Sequence, residues 1–516
     1  MSSKIFMGDM PELMNNILNS LNNDFYSLYS CALVSRHWCK MSIPILWQDP
    51  FSFERKPLFI SKYFSSLGEE EKYVLKKCGI NAEFTKTLFD YARFLKVLDL
   101  SRLESKVKKW IDIKLVNSKL YYNISIYHTI ILLIKLLFKL FIESGAALHK
   151  LDLHFSEFLE FTPEIFYSLG ENKQFFSRLQ DIYLYLHLDT KSYEDKYIEN
   201  ANALTRILAK NATKISTLEL DGVYSKYKPR LLFNSFMHII KSQEQLRRFK
   251  LNGKIFSKEF YGIISALECQ KNSLQEIIIE NCSFSAEFKV LKNCKNLEIL
   301  RIRNCNDAKL LKVLNYKVST LEIINCSIDA STIVQILEES GILLQSILLQ
   351  RLKFKSEDTE IWEESLLEAL KSFCPNITYL NISRIGFSTQ LLELIGNLQK
   401  LQFLTLQCII NIPEEEIKIR VMRFAEILPL TLHYFDLRDY WLTPYIDILL
   451  NHCNAPLKKM LIFLLYNEKN AKALIKFCIR KRTLNYVGVD YLILDDYIRK
   501  DIESYVTLVP CESWGV

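Results

Sequence analysis

The sequence predicts an α/β solenoid whose parallel strands line a concave face and whose helices form the outer, convex face, with a small helical segment in front. Three observations support this fold class. A triplet of apolar residues recurs with one spacing along most of the chain. The segments between triplets have the apolar period of a helix. The 516 residues also include only 13 glycines and 12 prolines, which favours continuous secondary structure over flexible linkers.

The triplet consists of three aliphatic or aromatic residues. Two residues of any type separate the first from the second, and one separates the second from the third. Because strand residues alternate between the two faces of a sheet, the second and third positions point into the same interior. From Leu148 to Leu484 the twelve intervals span 336 residues, a mean of 28. This length is typical of a leucine-rich repeat. The fourteen units begin at Leu95, Leu148, Leu179, Ile215, Leu246, Leu274, Leu297, Val318, Leu344, Ile377, Leu401, Leu432, Leu457 and Leu484.

Helical segments are predicted between these strands. Ile333, Ile336 and Leu337 precede one strand at helical spacing, and residues 391–395 precede another. A helix that returns to the next parallel strand makes a right-handed connection, and stacking of such units gives a solenoid. The longer interval from Leu95 to Leu148 predicts either a degenerate unit or an insertion between residues 101 and 147.

An Asn-Cys pair recurs at one position of three successive units, with the cysteines at Cys282, Cys305 and Cys326. Spaced one repeat apart, these cysteines are expected to stack about 5 Å apart as a buried ladder. The units resemble cysteine-containing leucine-rich repeats, a resemblance that implies that the buried Cys or Asn satisfies backbone groups where the strand turns away. Zinc ligands come instead as close pairs, so we expect no metal at these cysteines and no cofactor.

The first fifty residues predict three helices. Pro11 suits the first position of a helix, and Asp24 and Ser35 are placed to cap the second and third. Three short helices cannot bury so many large apolar side chains among themselves. Either another protein or the rest of the chain should cover them. On the first helix these side chains are Leu13, Ile17, Leu18 and Leu21.

The order of these residues resembles the F-box. The matching stretches are Met10-Pro11-Glu12-Leu13, Ile17-Leu18, Leu21, Asp24-Phe25, Val34-Ser35-Arg36-His37-Trp38 and Leu46-Trp47. F-boxes bind the Skp adaptor of Skp–cullin–F-box ubiquitin ligases. The resemblance therefore implies a Skp adaptor as partner and, through it, a cullin scaffold. It also implies an adaptor-binding surface of Met10, Pro11, Leu13, Ile17, Leu18, Leu21, Leu28, Leu33, Val34 and Trp38. The Asn-Cys units similarly resemble the cysteine-containing leucine-rich repeats often joined to F-boxes.

Three domains follow from these patterns: a helical F-box-like segment over residues 1–50, a helical connector over 51–93, and the solenoid over 94–516. Helices are expected within the connector at Glu69 to Lys77 and at Phe84 to Phe94. The apolar run from Ile130 to Ile142 is interrupted by two lysines and is shorter than the twenty residues of a membrane span, so it predicts a half-buried helix.

The charge and the cysteine content limit which classes of partner and which cellular compartment are expected. The net charge of +7 is spread without a basic block, which gives nucleic-acid binding little support. Neither a membrane span nor a signal peptide is expected. Thirteen cysteines without a secretory signal favour reduced thiols, and hence a cytoplasmic or nuclear location.

No phosphate-loop, dinucleotide, zinc-protease or nucleophile-elbow motif occurs in the sequence. The resemblance to the F-box implies that the chain is the non-catalytic substrate-recognition subunit of a cullin-type ubiquitin ligase. Its first segment would bind the Skp adaptor, and its solenoid would bind a target protein that the sequence does not identify. The alternatives are a scaffold protein that uses the adaptor without ubiquitin transfer, and an enzyme built on a solenoid.

The target is expected on the residues between the triplets, which point out of the concave sheet. Acidic and basic units alternate along this row. The alternation either keeps neighbouring strands from repelling each other or reads a partner of matching charge pattern. Tyr183, Tyr185, Arg301 and Arg303 are the target-binding candidates, because Tyr and Arg are enriched at binding hot spots. The whole predicted row is Asp181, Tyr183, Tyr185, Glu219, Asp221, Arg248, Lys250, Glu276, Glu280, Arg301, Arg303, Tyr379, Tyr434 and Arg438.

Overall fold

The computed structural model describes residues 11–22, 24–80, 86–115, 126–154, 163–185, 194–223, 229–257, 262–306, 317–352, 359–437, 440–465, 467–492 and 496–510. The chain forms two compact units. The first comprises residues 1–254 and 260–273, and the second comprises residues 255–259 and 274–516.

The strands of the described residues are β1 Val97–Asp99, β2 Lys150–His154, β3 Asp181–Tyr185, β4 Thr217–Val223, β5 Arg248–Ser257, β6 Glu276–Cys282, β7 Ile299–Arg303, β8 Thr320–Ile324, β9 Ser346–Gln350, β10 Tyr379–Gly386, β11 Phe403–Ile409, β12 Tyr434–Leu437, β13 Lys459–Leu465, β14 Tyr486–Leu492 and β15 Thr507–Pro510.

The α-helices of the same residues are α1 Pro11–Ser20, α2 Phe25–Val34, α3 Arg36–Leu46, α4 Ile60–Tyr63, α5 Glu69–Lys77, α6 Leu100–Leu115, α7 Ile126–Glu143, α8 Pro163–Glu171, α9 Lys173–Phe176, α10 Glu194–Asn211, α11 Pro229–Ser242, α12 Ile263–Ala266, α13 Ala330–Ser340, α14 Thr359–Phe373, α15 Thr389–Asn397, α16 Glu414–Ile427, α17 Ile446–His452, α18 Glu468–Lys481 and α19 Asp496–Glu503.

The repeat register predicted from the triplets is confirmed. Each of the fourteen units contributes one of the strands β1–β14, and the residues of its triplet are buried. Strands pair in parallel and in chain order, β1 to β5 within the first unit and β6 to β15 within the second. The fold is therefore an α/β leucine-rich-repeat fold. Strand β15 was not predicted, because Pro510 stands where the pattern requires its third apolar residue.

One hydrogen-bond arrangement begins nearly every strand. The carbonyl of the residue before a strand accepts two N–H groups from the start of the next strand. Lys96 O accepts from His149 N at 2.8 Å and Lys150 N at 3.1 Å, and His149 O accepts from the residues that open β3. Both lone pairs of each carbonyl are thus used, which fixes the register of successive strands.

The series starts in front of β1. Gln48, two residues after the end of α3, accepts from Lys96 N at 2.9 Å and Val97 N at 3.0 Å. The end of the N-terminal helical segment therefore occupies the place of a strand start and sets the register of the first repeat.

Two buried glutamines join neighbouring repeats of the first unit. The side chain of Gln270 donates to Ile240 O and Gln243 O, both at 3.0 Å, and accepts from Leu246 N at 3.1 Å. One repeat earlier, Gln243 accepts from Ile215 N at 2.9 Å. These amides satisfy backbone groups that helix ends and strand starts leave buried.

The Asn-Cys positions have two separate functions. Asn281, Asn304 and Asn325 have φ angles of 53°, 52° and 52°, a left-handed conformation that Asn tolerates better than most residues. The Asn side chains of two neighbouring repeats also bond to each other, since Asn325 Nδ2 donates to Asn304 Oδ1 at 2.8 Å. Other repeats place Gly222, Arg351 or Arg384 at this left-handed position.

The three cysteines that follow these asparagines are fully buried, as predicted. Cys305 N donates to Cys326 Sγ at 3.4 Å, and Cys326 Sγ lies 3.6 Å from Ile302 O. The hydrogen bond with Cys326, together with burial, raises the pKa of the Cys305 thiol. The thiols therefore bond to backbone groups where the strands end.

The long interval after β1 holds an insertion rather than a degenerate unit. In its described part, residues 100–115 and 126–149, two helices follow one another and no strand occurs. β1 pairs directly with β2, with Leu98 opposite Leu151. Helix α7 contains the run from Ile130 to Ile142 and is buried more deeply than predicted, since ten of the thirteen side chains of the run are buried and Lys139 is exposed. Its Lys139 pairs with Glu71 at 2.6 Å.

Predicted helix boundaries in the first ninety residues are correct with one exception. Asp24 and Ser35 cap α2 and α3, and α5 spans Glu69–Lys77. The expected helix from Phe84 to Phe94 is wrong. Its described part, residues 86–94, forms only a 3₁₀ turn at Ala92–Phe94. Thr87 donates to Phe89 O at 2.9 Å, a local bond that competes with helix formation.

Replacing Gln270 by Leu should lower the free energy of unfolding by about 2 to 4 kcal/mol, because the buried N–H of Leu246 and two carbonyls lose their partner. Urea unfolding measures this loss. Gln174→Leu, at an exposed position of α9, is the matched control and should change stability little. Equal stability of the two variants would contradict the bridging role.

The native protein should leave Cys305 unlabelled by a thiol reagent under conditions in which the exposed Cys269 reacts, because the thiolate is the reactive form and Cys305 is buried. Mass spectrometry after digestion distinguishes the two sites. If Cys305 in the folded protein were labelled as fast as Cys269, the predicted ladder of buried cysteines would be wrong.

Candidate protein-binding surfaces

Three large apolar side chains of the first two helices are buried. Met14 and Leu18 on α1 and Leu28 on α2 are at most 1% exposed. They recur at i and i+4 on α1, which turns one stripe of that helix inward. These side chains are therefore turned away from solvent.

A second set of apolar side chains on the same helices lies exposed. Leu33 is 70% exposed and Tyr26 is 81% exposed. Tyr26, Tyr29 and Leu33 follow one another at i, i+3 and i+7, so they form a stripe on α2. The set comprises Leu13, Ile17, Tyr26, Tyr29, Leu33 and Val34, and we call it the N-terminal apolar face.

The predicted adaptor-binding residues differ in their exposure to solvent. Leu13, Ile17, Leu33 and Val34 are exposed, while Leu21 and Trp38 are half-buried. Pro11 begins α1, and Met10 lies outside the described residues.

The prediction that Leu18 and Leu28 lie on this surface is wrong, because both side chains are fully buried. Leu18 lies about 100° around α1 from Ile17, on the side of the helix that the buried Met14 also occupies. The sequence reasoning missed Tyr26 and Tyr29, although their spacing from Leu33 carries the signal.

Aromatic contacts attach this helical segment to the connector. The Trp47 ring stacks on Tyr91 with centroids 4.0 Å apart. The Arg55 guanidinium lies 4.0 Å from the Phe25 ring centroid and 5.2 Å from that of Phe59. Such cation–π contacts are strongest where water is excluded. The helices, the connector and the first repeats belong to one compact unit.

The sheet face opposite the buried triplets is the second candidate surface, here called the open face. In the first unit its strands are in register, so that Asp99, Asp152, Tyr183 and Glu219 form one row across β1 to β4. The next row contains His154, Tyr185 and Asp221. Carboxylates therefore surround the two tyrosines.

Each of these tyrosines contacts a neighbouring strand. Lys150 Nζ lies 4.4 Å from the centroid of the Tyr183 ring, and His154 stacks on Tyr185 with ring centroids 4.1 Å apart. Burial and the charge of Glu219 raise the pKa of Tyr183 to about 12. Burial and four carboxylates, of which Asp152 acts most strongly, raise the pKa of Tyr185.

The Asp152 carboxylate of this region is incompletely hydrogen-bonded. One of its oxygens, Oδ1, is buried and makes no hydrogen bond, and the other lies 3.5 Å from Lys150 Nζ. Burial raises the pKa of Asp152 to about 6, with Asp99 acting in the same direction and Lys150 opposing it.

In the second unit, Arg301 and Arg303 lie within an ion-pair network. Arg301 contacts Glu276 at 3.1 Å and Glu322 at 2.8 Å. Arg303 contacts Glu280 at 3.0 Å and also pairs with Glu322, whose hydrogen bond raises the pKa of Arg303. This cross-strand pairing agrees with the interpretation that alternating charge prevents repulsion between strands.

The four target-binding candidates thus form two pairs, one in each unit. Tyr183 and Tyr185 are neighbours on β3, and Arg301 and Arg303 are neighbours on β7. The prediction of exposure is wrong for two residues of the row, because Glu280 is 9% and Tyr434 is 6% exposed. Glu280 is covered as it pairs with Arg303, and Tyr434 packs against Phe403. Arg438 lies outside the described residues.

Within the described ranges, no group of three His, Cys, Asp or Glu side chains is arranged to hold a metal ion.

Among the helices of the part of the chain that is described, none combines the length and the apolar character needed to cross a membrane.

Neither a family model nor a curated protein matches this sequence. Solved structures do match. The yeast complex of Rad7 and Elc1 matches with 13% identity and a TM-score of 0.32, covering 65% of this chain and 76% of that chain. A leucine-rich-repeat protein of Leptospira interrogans matches with 14% identity and a TM-score of 0.34, covering 72% and 91%. At such low identities and TM-scores these similarities carry no information on what this chain binds.

Asp152→Asn should stabilise the protein at pH 8 by about 1 to 2 kcal/mol and change stability little at pH 4. The folded-state pKa lies above the ordinary value of 3.8, so the favourable contribution of the neutral carboxyl is present below pH 4 and is lost as the pH rises through about 6. Chemical unfolding at both pH values measures the difference. A gain of equal size at pH 4 and pH 8 would contradict it.

Proposed function

We propose that this chain is a non-catalytic receptor subunit. Its N-terminal apolar face binds a Skp adaptor and, through it, a cullin scaffold, while the open face of its repeats binds a target protein. The proposal combines the F-box-like order of residues 10–47 with the exposure of apolar side chains on α1 and α2.

The observation that carries the proposal is the N-terminal apolar face. Six large apolar side chains of α1 and α2 are between 41% and 81% exposed. Contiguous exposed apolar side chains are typical of protein interaction sites, and Tyr26, Tyr29 and Leu33 form such a stripe on α2. Helices that present anchors at i, i+3, i+4 and i+7 suit a groove on a partner.

The attachment of these helices to the repeats fits a proximity mechanism. Gln48 O bonds to the start of β1, and Lys106 on α6 donates to Phe53 O in the connector. Trp110 Nε1 donates to Ser61 Oγ at 3.0 Å. A target held on the first repeats would therefore keep a fixed position relative to the adaptor. Fixed positioning of two reactants raises their effective concentration.

No catalytic step is assigned to this chain. Ubiquitin transfer would be performed by enzymes that the cullin scaffold recruits, and the contribution of the chain would be recognition alone.

The double variant Leu13→Ala/Leu33→Ala should weaken capture of the Skp adaptor at least thirtyfold, because central apolar anchors cost more than about 2 kcal/mol when truncated. Both side chains are exposed, so the melting temperature should change little. Pull-down and titration calorimetry with purified adaptor measure the loss.

The matched control is Ile342→Ala/Leu430→Ala, which removes two side chains of similar exposure from the second unit. It should bind the adaptor normally. Leu28→Ala should act differently, by lowering stability, since Leu28 is buried. Undiminished adaptor binding by a folded Leu13→Ala/Leu33→Ala protein would refute the proposal.

A further inference from the structure

A cation without an oxygen acceptor lies beside the N-terminal apolar face. The Arg55 guanidinium lies 4.0 Å from the centroid of the Phe25 ring and 5.5 Å from that of Phe53. Its Nε atom is buried, and its side chain makes no hydrogen bond or ion pair in the part of the chain that the structure describes. Aromatic rings attract the charge of a guanidinium, but they do not replace the oxygen acceptors of its N–H groups. Arg55 is therefore an incompletely satisfied cation.

The Phe25 ring connects Arg55 to the N-terminal apolar face. Tyr29 stacks on Phe25 with ring centroids 5.8 Å apart, and Tyr26 meets the same ring edge-on at 5.7 Å. Both tyrosines belong to the face and are exposed. A partner that covers these tyrosines would reach to within one ring of Arg55.

Helix α6 adds two cations next to Arg55. Lys106 donates to the carbonyl of Phe53 in the connector. Lys109 follows Lys106 by three residues, so both side chains lie on the same side of α6. Lys109 is exposed and makes no ion pair with any described residue. We call Arg55, Lys106 and Lys109 the basic border.

The positive charge of the basic border is in excess. Burial is the largest cause of the lowered pKa of Lys106, and the charges of Lys109 and Arg55 act in the same direction. Glu54 opposes them, but it is exposed and forms no ion pair within the described ranges. Burial also lowers the pKa of Arg55, and the groups that oppose this shift are two tyrosine hydroxyls rather than carboxylates.

Other arginines of the chain already have acidic partners. Arg102 lies on the same side of α6 but pairs with Asp99 at 3.1 Å, so it does not add to the excess. Arg301 and Arg303 of the second unit each contact two carboxylates. The basic border is therefore the better site for acidic side chains that come from outside the chain.

We propose that the basic border extends the N-terminal apolar face and binds carboxylate side chains of the adaptor. This inference rests on the proposed function, because it names the surface chemistry of that partner, an apolar groove bordered by acidic residues. A carboxylate can accept two N–H groups from one guanidinium, which suits Arg55. Charge complementarity also speeds association and selects an acidic partner over a basic one.

The test measures binding of the purified adaptor to the full-length chain by titration calorimetry at low and high salt. Arg55→Met keeps an unbranched side chain against the Phe25 ring and removes the charge. Lys109→Gln removes an exposed charge. We expect each variant to bind the adaptor about three- to tenfold more weakly at low salt, and we expect the difference to shrink at high salt because salt screens the lost attraction.

Two further variants and a stability measurement complete the design. Arg55→Lys keeps the charge but not the planar pair of donors, so its loss should lie between those of the native protein and Arg55→Met. Lys476→Gln removes an exposed lysine from α18 in the second unit and should stay within about twofold of the native protein. Thermal unfolding shows whether each variant is folded. If Arg55→Met does not fold, Lys109→Gln still decides the question.

The inference is wrong if the folded charge variants bind the adaptor as the native protein does, if their losses are the same at high salt, or if Lys476→Gln loses as much affinity. A labelled single-stranded DNA octamer gives the remaining alternative. If Lys109→Gln lost the octamer and kept the adaptor, the basic border would bind phosphates rather than carboxylates.

The two proposals can fail separately. Loss of adaptor binding in Leu13→Ala/Leu33→Ala, together with undiminished binding in the charge variants, would refute the inference and support the apolar face as the adaptor site. Absence of adaptor binding by the native protein would refute both.

Discussion

The carbonyl that accepts two N–H groups at the start of each repeat is the constraint on which the structure depends. Lys96 O, His149 O and Gln180 O each bind the next repeat in this way. Parallel strands joined by helices have no tight hairpin to fix their register. The shared carbonyl fixes that register, and the buried triplets of successive strands are then aligned. A repeat can vary its helix freely as long as this residue and the triplet keep their spacing.

A second constraint lies at the other end of the strands, where the backbone turns into a left-handed conformation. Asn281, Asn304, Asn325 and Gly222 suit this position, whereas Arg351 and Arg384 adopt it at a conformational cost of about 1 kcal/mol each. The buried cysteines bond to backbone groups beside these turns, and the buried glutamines satisfy backbone groups at helix ends and strand starts. Polar side chains inside this solenoid thus complete the backbone hydrogen bonding, while the surface carries the chemistry for partners.

The sequence predicted the repeats well because the spacing of the inward-pointing apolar residues is a local property. It is visible in any one unit, such as residues 297–302. It failed where the outcome depends on which neighbour a side chain meets. Leu18 and Leu28 carried the same apolar signal as Leu13 and Leu33, and only the packing of three helices separates core from surface. Arg301 and Arg303 looked available until their carboxylate partners on adjacent strands were known. The adaptor itself remains a prediction from resemblance and exposure.

The position of Gln48 has a consequence for work with shortened forms of the protein. Since its carbonyl opens the series, the helical segment acts as the cap that the first repeat requires. Deleting that segment would strip Lys96 and Val97 of their acceptor and leave one side of β1 as a bare sheet edge. Such edges recruit strands from other molecules and promote aggregation. Point substitutions on the exposed helix faces are therefore the sound way to separate adaptor binding from target binding.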